Sequence, residues 1–181
     1  MFRNILTYGT IAGLAVGIPL SIITIAFSGH MLSYGMLVGY TIMLIALSAV
    51  FVGIKRHRDV ELGGVIGFWQ AFAMGVGISF VAGIFYVAAW ETACAIAGID
   101  FASSYSAAMI AQKKAAGVSG AALAKFIDEM NAFKVHYANP FYRWPMTFIE
   151  IFPVGVLVSL ISAALLRNSR FLPARSANQS R

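Results

Sequence analysis

Four blocks of apolar residues, each about long enough to cross a bilayer, leave this chain very few folds. They cover about 5–27, 34–54, 68–92 and 146–166. At 1.5 Å of rise per residue, a helix needs roughly 20 such residues to span a hydrocarbon layer about 30 Å thick. Lipid offers no hydrogen bonds to a backbone, so an isolated apolar block of this length must satisfy its own amides as a helix. Composition agrees: charged residues are 11% of the chain, against about 25% in soluble domains. The fold class is therefore an all-α integral membrane protein with four transmembrane helices. The first block is too long for a secretory signal, whose apolar region runs roughly 7–15 residues, although Ala26-Phe27-Ser28 resembles a cleavage site.

Charge supplies the topology. The formal net charge is +6, but the basic residues flank the apolar blocks and form no stripe with aromatics. The partner they suit is the lipid bilayer, and nucleic acid is excluded. Placing the N-terminus inside puts Arg3, the run Lys55-Arg56-His57-Arg58, and Arg167, Arg170, Arg175 and Arg181 on the cytoplasmic side. The other side then carries Lys113, Lys114, Lys125, Lys134 and Arg143, spread thinly over a longer segment. Density of Lys and Arg near span ends favours both termini in the cytoplasm, and an even number of crossings requires them to share a side.

Residues 1–167 read as a single membrane domain, and 168–181 as a basic, disordered tail. A tight turn over 28–33 joins the first two spans, and Gly63-Gly64 makes another before the third. Residues 100–145 form the sizeable extramembrane piece, an extracytoplasmic helical hairpin. Leu123, Phe126, Ile127, Met130, Phe133 and Tyr137 recur at helical spacing and predict a stripe that packs against the bundle. Gly117 and Gly120 bracket Ser119 as a break between two helices, and Asn139-Pro140 ends the second.

Small residues recur every four positions in each span: Gly9, Gly13 and Gly17; Gly35 and Gly39; Gly75, Ser79 and Gly83; Gly155, Ser159 and Ala163. Such rows let backbones approach, which is how helices associate where lipid is as apolar as they are. They predict a compact bundle, with a homo-oligomer or a membrane-protein partner as a further use. Pro19 and Pro153 lie inside the first and fourth spans and are candidate kinks.

Two carboxylates, Glu91 and Glu150, interrupt the third and fourth blocks. An ionisable residue at membrane depth is a site candidate by default. Trp69 and Trp90 stand about 31 Å apart along a helix, so with both at interfaces Glu91 reaches the outer one. Glu150 falls about 6–8 Å below the outer edge marked by Arg143-Trp144-Pro145. The two compete among three roles: structural partners of Arg143, Lys134 or a tyrosine hydroxyl; a shared proton, cation or polar-ligand site; or a catalytic pair. The last lacks any supporting motif, with no His-Glu-x-x-His helix, nucleophile elbow or phosphate loop. His30, His57 and His136 fall on both sides of the membrane, which excludes a three-histidine metal site, and His136 with Glu129 or Asp100 reads as a solvated hairpin face; no metal or cofactor is expected. Cys94 is the sole cysteine and forms no internal disulfide.

With those residues laid out, the chain resembles the bacterial membrane-protein family known as domain of unknown function 4199. The carrying segments are Tyr8-Gly9-x-x-x-Gly13, Gly63-Gly64-Val65-Ile66-Gly67-Phe68 and Tyr86-Val87-x-x-Trp90-Glu91. Phe133-Lys134-x-x-Tyr137-x-Asn139-Pro140-Phe141 and Glu150-x-x-Pro153-Val154-Gly155-x-x-Val158-Ser159 complete it. At Trp69-Gln70 the chain departs from the family pattern of a smaller residue followed by lysine. The resemblance implies a four-span inner-membrane protein and brings no activity with it. The expectation for function is a non-enzymatic accessory or assembly protein of the bacterial inner membrane. A small transporter or oligomeric channel using Glu91 and Glu150, and a lipid-acting membrane enzyme, are the alternatives.

Overall fold

A computed structural model describes residues 1–26 and 35–173, and every regular element among them is helical. The four long helices are α1 (Phe2–Ala26), α2 (Gly35–Arg56), α3 (Phe68–Ala97) and α6 (Pro140–Leu166). Mean hydropathy of 1.9 to 2.3 over their apolar windows suits all four to a bilayer. Two shorter helices, α4 (Phe101–Ala115) and α5 (Gly120–Tyr137), pair as a hairpin between α3 and α6. The expected turn over 28–33 and the tail over 174–181 lie outside the described residues.

The bundle closes as a ring in which α3 packs on α1 and α6, and α2 fills the remaining corner against those same two helices. Small residues make the ring tight. A Cβ on Gly9, Gly13 or Gly17 would stand 2.5, 2.4 or 2.6 Å from the Cβ of Val81, Phe85 or Ala89, so α1 lies with its backbone against α3. The neighbouring face of α3 meets α6 reciprocally. Gly75 lies under Ser159 and Gly155 under Ser79, with room for no added carbon at either. Both serine hydroxyls donate back to their own helix, Ser79 to the Gly75 carbonyl at 3.0 Å and Ser159 to Gly155 at 2.7 Å. Gly83 sits beneath the Phe148 ring. The space between the four helices is filled by Ala12, Val16, Leu47, Val50, Met74, Ile78, Ala82 and Ile151, all fully buried.

The row in the second span is a correction. Among the described residues Gly39 has nothing within 4 Å of where a Cβ would stand, and packing at Gly35 lies outside them. The close approach on α2 comes from Gly53, against Tyr8 and Ile78. Four-residue spacing identifies a face, and the bundle here engages α2 nearer its C-terminal end. α1 continues through Pro19, and α6 through Pro145 and Pro153, so each proline removes one backbone bond without ending its helix.

Two boundaries shift. α3 runs to Ala97, where Gly98 takes a left-handed φ of +61° and its amide bonds the Cys94 carbonyl. α6 starts at Pro140: the Asn139 side chain accepts the Phe141 amide at 3.0 Å and proline fits the first helical position. The hairpin therefore occupies 101–137, and Arg143, Trp144 and Pro145 belong to α6. Gly117 and Gly120, at φ of +82° and +60°, break the hairpin where expected. Its apolar stripe turns on α4 along most of its length and meets the bundle at Tyr137. Tyr105 packs on Phe133, Lys113 lies over Phe126, and the Ser106 hydroxyl approaches the Met130 carbonyl. Two amphipathic helices joined by a short turn cover each other first.

The opposite end holds an arrangement that the sequence did not reveal. The run from Lys55 was expected to flank the membrane on the cytoplasmic side, with no partner assigned to Arg58. There α2 passes into one π-helical turn, His57–Glu61, which swings Arg58 fully inside. The Arg58 guanidinium donates to Asp59 at 2.6 Å and to the carbonyls of Leu166, Phe171 and Leu172 at 3.4, 3.0 and 2.5 Å. The chain after α6 is therefore folded back over 168–173, with Phe171 edge-on to Phe51, and is not a free tail from its first residue.

Candidate functional site

The polar groups that sequence reading singled out converge at the hairpin end. α3 carries Tyr86, Trp90, Glu91 and Cys94 over its last turns, and α6 brings Arg143 and Glu150 over its first three. α5 ends at Tyr137, which is buried between them. The loop around Asn139 is short enough to hold Tyr137 and Arg143 side by side.

Arg143 grips Glu91 with both prongs of its fork, Nε to Oε1 at 2.6 Å and Nη2 to Oε2 at 2.5 Å. Nη1 donates to the Tyr137 carbonyl at 3.2 Å, and the guanidinium lies 5.6 Å from the Tyr137 ring centre. The Trp90 indole N–H donates to the Tyr137 hydroxyl at 3.2 Å, while Phe101 stands edge-on to Trp90. Burial pushes the Tyr137 phenol above its ordinary pKa, so it stays protonated as a hydrogen-bonding group. These contacts clamp the hairpin to the bundle through Tyr137 of α5, with Phe101 of α4 adding its ring against Trp90.

Beside the clamp opens a cleft of about 350 Å³ between the end of α3, the start of α4 and the end of α5. Glu91, Cys94, Asp100, Lys134 and Arg143 line it, with Trp90 and Ile99 as apolar wall. The Asp100 carboxylate accepts the Ser103 amide at 3.0 Å. Hydrogen bonding from Ser103, its hydroxyl first and then this amide, holds it below the usual carboxylate range, with the Lys134 charge adding to the effect. Among the described residues Lys134 has no carboxylate within 4 Å.

Glu150 stands apart from this group. It accepts the Tyr86 hydroxyl at 3.0 Å, with Tyr86 buried in the bundle and Glu150 itself on the outward surface of α6. Glu91 and Glu150 thus have separate partners: a cation for the first and a phenol for the second. The described residues hold no cluster of three or more His, Cys, Asp or Glu suited to a metal ion.

Three contributors were not assigned these roles from the sequence. Tyr137 read as part of an amphipathic stripe, although its place just before Asn139-Pro140 marks the point where α5 must return to the bundle. Asp100 has a visible signal, an acidic residue at a helix start. Arg58 has none, because only the π-turn carries it inward.

No curated protein and no solved structure matches this chain. The profile of a family described as "Protein of unknown function (DUF4199)" matches residues 7–168. The match takes in all four membrane-type helices but the first turns of α1, together with the hairpin, so the chain belongs to that family.

Proposed function

We propose that this protein is a non-enzymatic accessory or assembly protein of the bacterial inner membrane, with both termini in the cytoplasm and the α4–α5 hairpin on the other side. The observation that carries this reading is the sealed bundle interior. A transporter acting as a monomer needs a polar path between its helices. Here the central layer is aliphatic, and the hydroxyls of Ser79 and Ser159 are spent on carbonyls of their own helices. The shape offered to other proteins is a rigid membrane anchor carrying an extramembrane hairpin. Purification in mild detergent, followed by identification of what stays bound, tests the proposal. A partner membrane protein at fixed ratio is the expected result. A homo-oligomer that conducts ions in planar bilayers overturns it.

One observation favours a second reading. Glu150 lies in an apolar helix with a tyrosine hydroxyl on its carboxylate, an arrangement that can hold a proton or a cation at the membrane surface. Glu150→Gln in proteoliposomes tests it: proton or cation flux abolished by the substitution supports this reading, and absence of flux in the unmodified protein ends it.

A further inference from the structure

We propose that the cleft at the hairpin end binds a zwitterionic phosphoester headgroup, a phosphate joined to a primary amine, as an aminophospholipid carries. This goes beyond the accessory reading and does not depend on it.

Charge balance is the first argument. Two cations, Lys134 and Arg143, and two carboxylates, Glu91 and Asp100, face one small opening. A ligand carrying one charge of each sign can match both pairs, while an ion of single sign leaves one pair opposed. Unused bonding capacity is the second. A guanidinium has five N–H donors, and Arg143 spends three, two on Glu91 and one on the Tyr137 carbonyl. Lys134 offers its ammonium across the cleft without a carboxylate partner within 4 Å among the described residues. The phosphate therefore fits between Lys134 and the outer edge of Arg143. The ammonium fits against Asp100, whose carboxylate spends one acceptor position on the Ser103 amide.

Position is the third argument. The cleft opens where the apolar stretch of α3 ends, beside Trp90, a residue type that favours the headgroup layer. Ile96 projects outward on the same turn of α3, giving acyl chains an apolar surface to follow out of the site. Its volume sits at the lower end of the range of about 300–1,000 Å³ seen for small-molecule sites, which suits a headgroup and excludes a bulky solute.

The test uses the purified full-length chain in nanodiscs of phosphatidylcholine doped with phosphatidylethanolamine or phosphatidylglycerol. Retained lipid is read by native mass spectrometry, and shielding of Cys94 in the cleft is read by maleimide labelling. Phosphatidylethanolamine should be retained over both other lipids and should slow labelling. Lys134→Gln should weaken retention about tenfold, equivalent to about 1.4 kcal/mol, with Lys134→Arg retaining most of it. Asp100→Asn, which preserves the helix cap, should reduce selectivity for the amine. Soluble phosphoethanolamine distinguishes the source: shielding of Cys94 by it at millimolar concentration assigns the site to the free headgroup as well as the lipid, and shielding by the lipid alone assigns it to the bilayer. Equal retention of phosphatidylglycerol, or retention unchanged in both Lys134→Gln and Asp100→Asn, overturns the proposal.

Discussion

Each end of this bundle is organised by an arginine, and the two are used in opposite ways. At the end where α2 and α6 finish, Arg58 has no surface left and its donors go to Asp59 and three backbone carbonyls. A buried guanidinium is costly unless its bonds are met, and here they close the chain over itself. At the hairpin end, Arg143 and Glu91 keep about a quarter of their side-chain surface open, 23% and 28%. Their bidentate pair sits on the rim of a cleft. The first arrangement holds the fold shut; the second leaves charge accessible to something outside. A fully buried arginine with four of its five donors spent on its own chain is structural, whereas one with two donors left over at a water-accessible rim is available for recognition.

Breaking the closed end should cost most. Arg58→Met leaves Asp59 with Lys55 alone and releases the carbonyls of Leu166, Phe171 and Leu172, and the loss of these charge-assisted bonds together should cost about 3–5 kcal/mol. Apparent melting temperature in detergent should fall further than for any substitution below, and protease should cut after α6. Next come the helix contacts. Gly155→Val forces a carbon into a space where Ser79 already stands 2.6 Å away and should cost about 1–3 kcal/mol or more. Gly39→Ala enters open space and should stay within about 0.5 kcal/mol, which makes it the matched control in the same melting assay.

The open end should respond more gently. Arg143→Gln removes a partly exposed ion pair worth about 1 kcal/mol or less. Amide exchange should therefore quicken in α5 while the four-helix core stays protected. Smallest is the pH response of the hairpin cap. The Asp100 carboxylate is held below its ordinary value of 3.8 in the fold. Its stabilising effect is thus complete above that ordinary value and is lost as pH falls through the lowered one. Protection in the first turn of α4, measured against the intrinsic exchange rate at each pH, should fall on going from about pH 5 to about pH 3, an effect of about 1 kcal/mol at most, and Asp100→Asn should flatten it.

How much of this was legible in the residues follows from the range of each interaction. Apolar length determines spans, so α1, α2, α3 and α6 were readable, as was the break at Gly117 and Gly120, where the backbone needs positive φ. Small-residue spacing marked the faces of α1, α3 and α6 that meet. It misled at Gly39, because spacing gives a face and not the depth at which a neighbour crosses. The ends of α3 and α6 were set by caps at Gly98 and Asn139 that lie beyond the apolar runs. Glu91 and Glu150 stood out as charges in lipid, but only the folded chain shows one held by Arg143 and the other by Tyr86. Arg58 was least legible. Nothing in a basic run after a span distinguishes a buried arginine from a solvated one until the π-turn is formed.

Side-specific labelling probes the four-crossing arrangement most directly. Cys94, the sole cysteine, lines the open cleft, and Arg167→Cys in a Cys94→Ser background places a thiol at the closed end. A membrane-impermeant maleimide added to intact spheroplasts should label Cys94 and spare Arg167→Cys, which should react only after permeabilisation. Labelling of both thiols from the same side would contradict the four-span bundle with its hairpin outside.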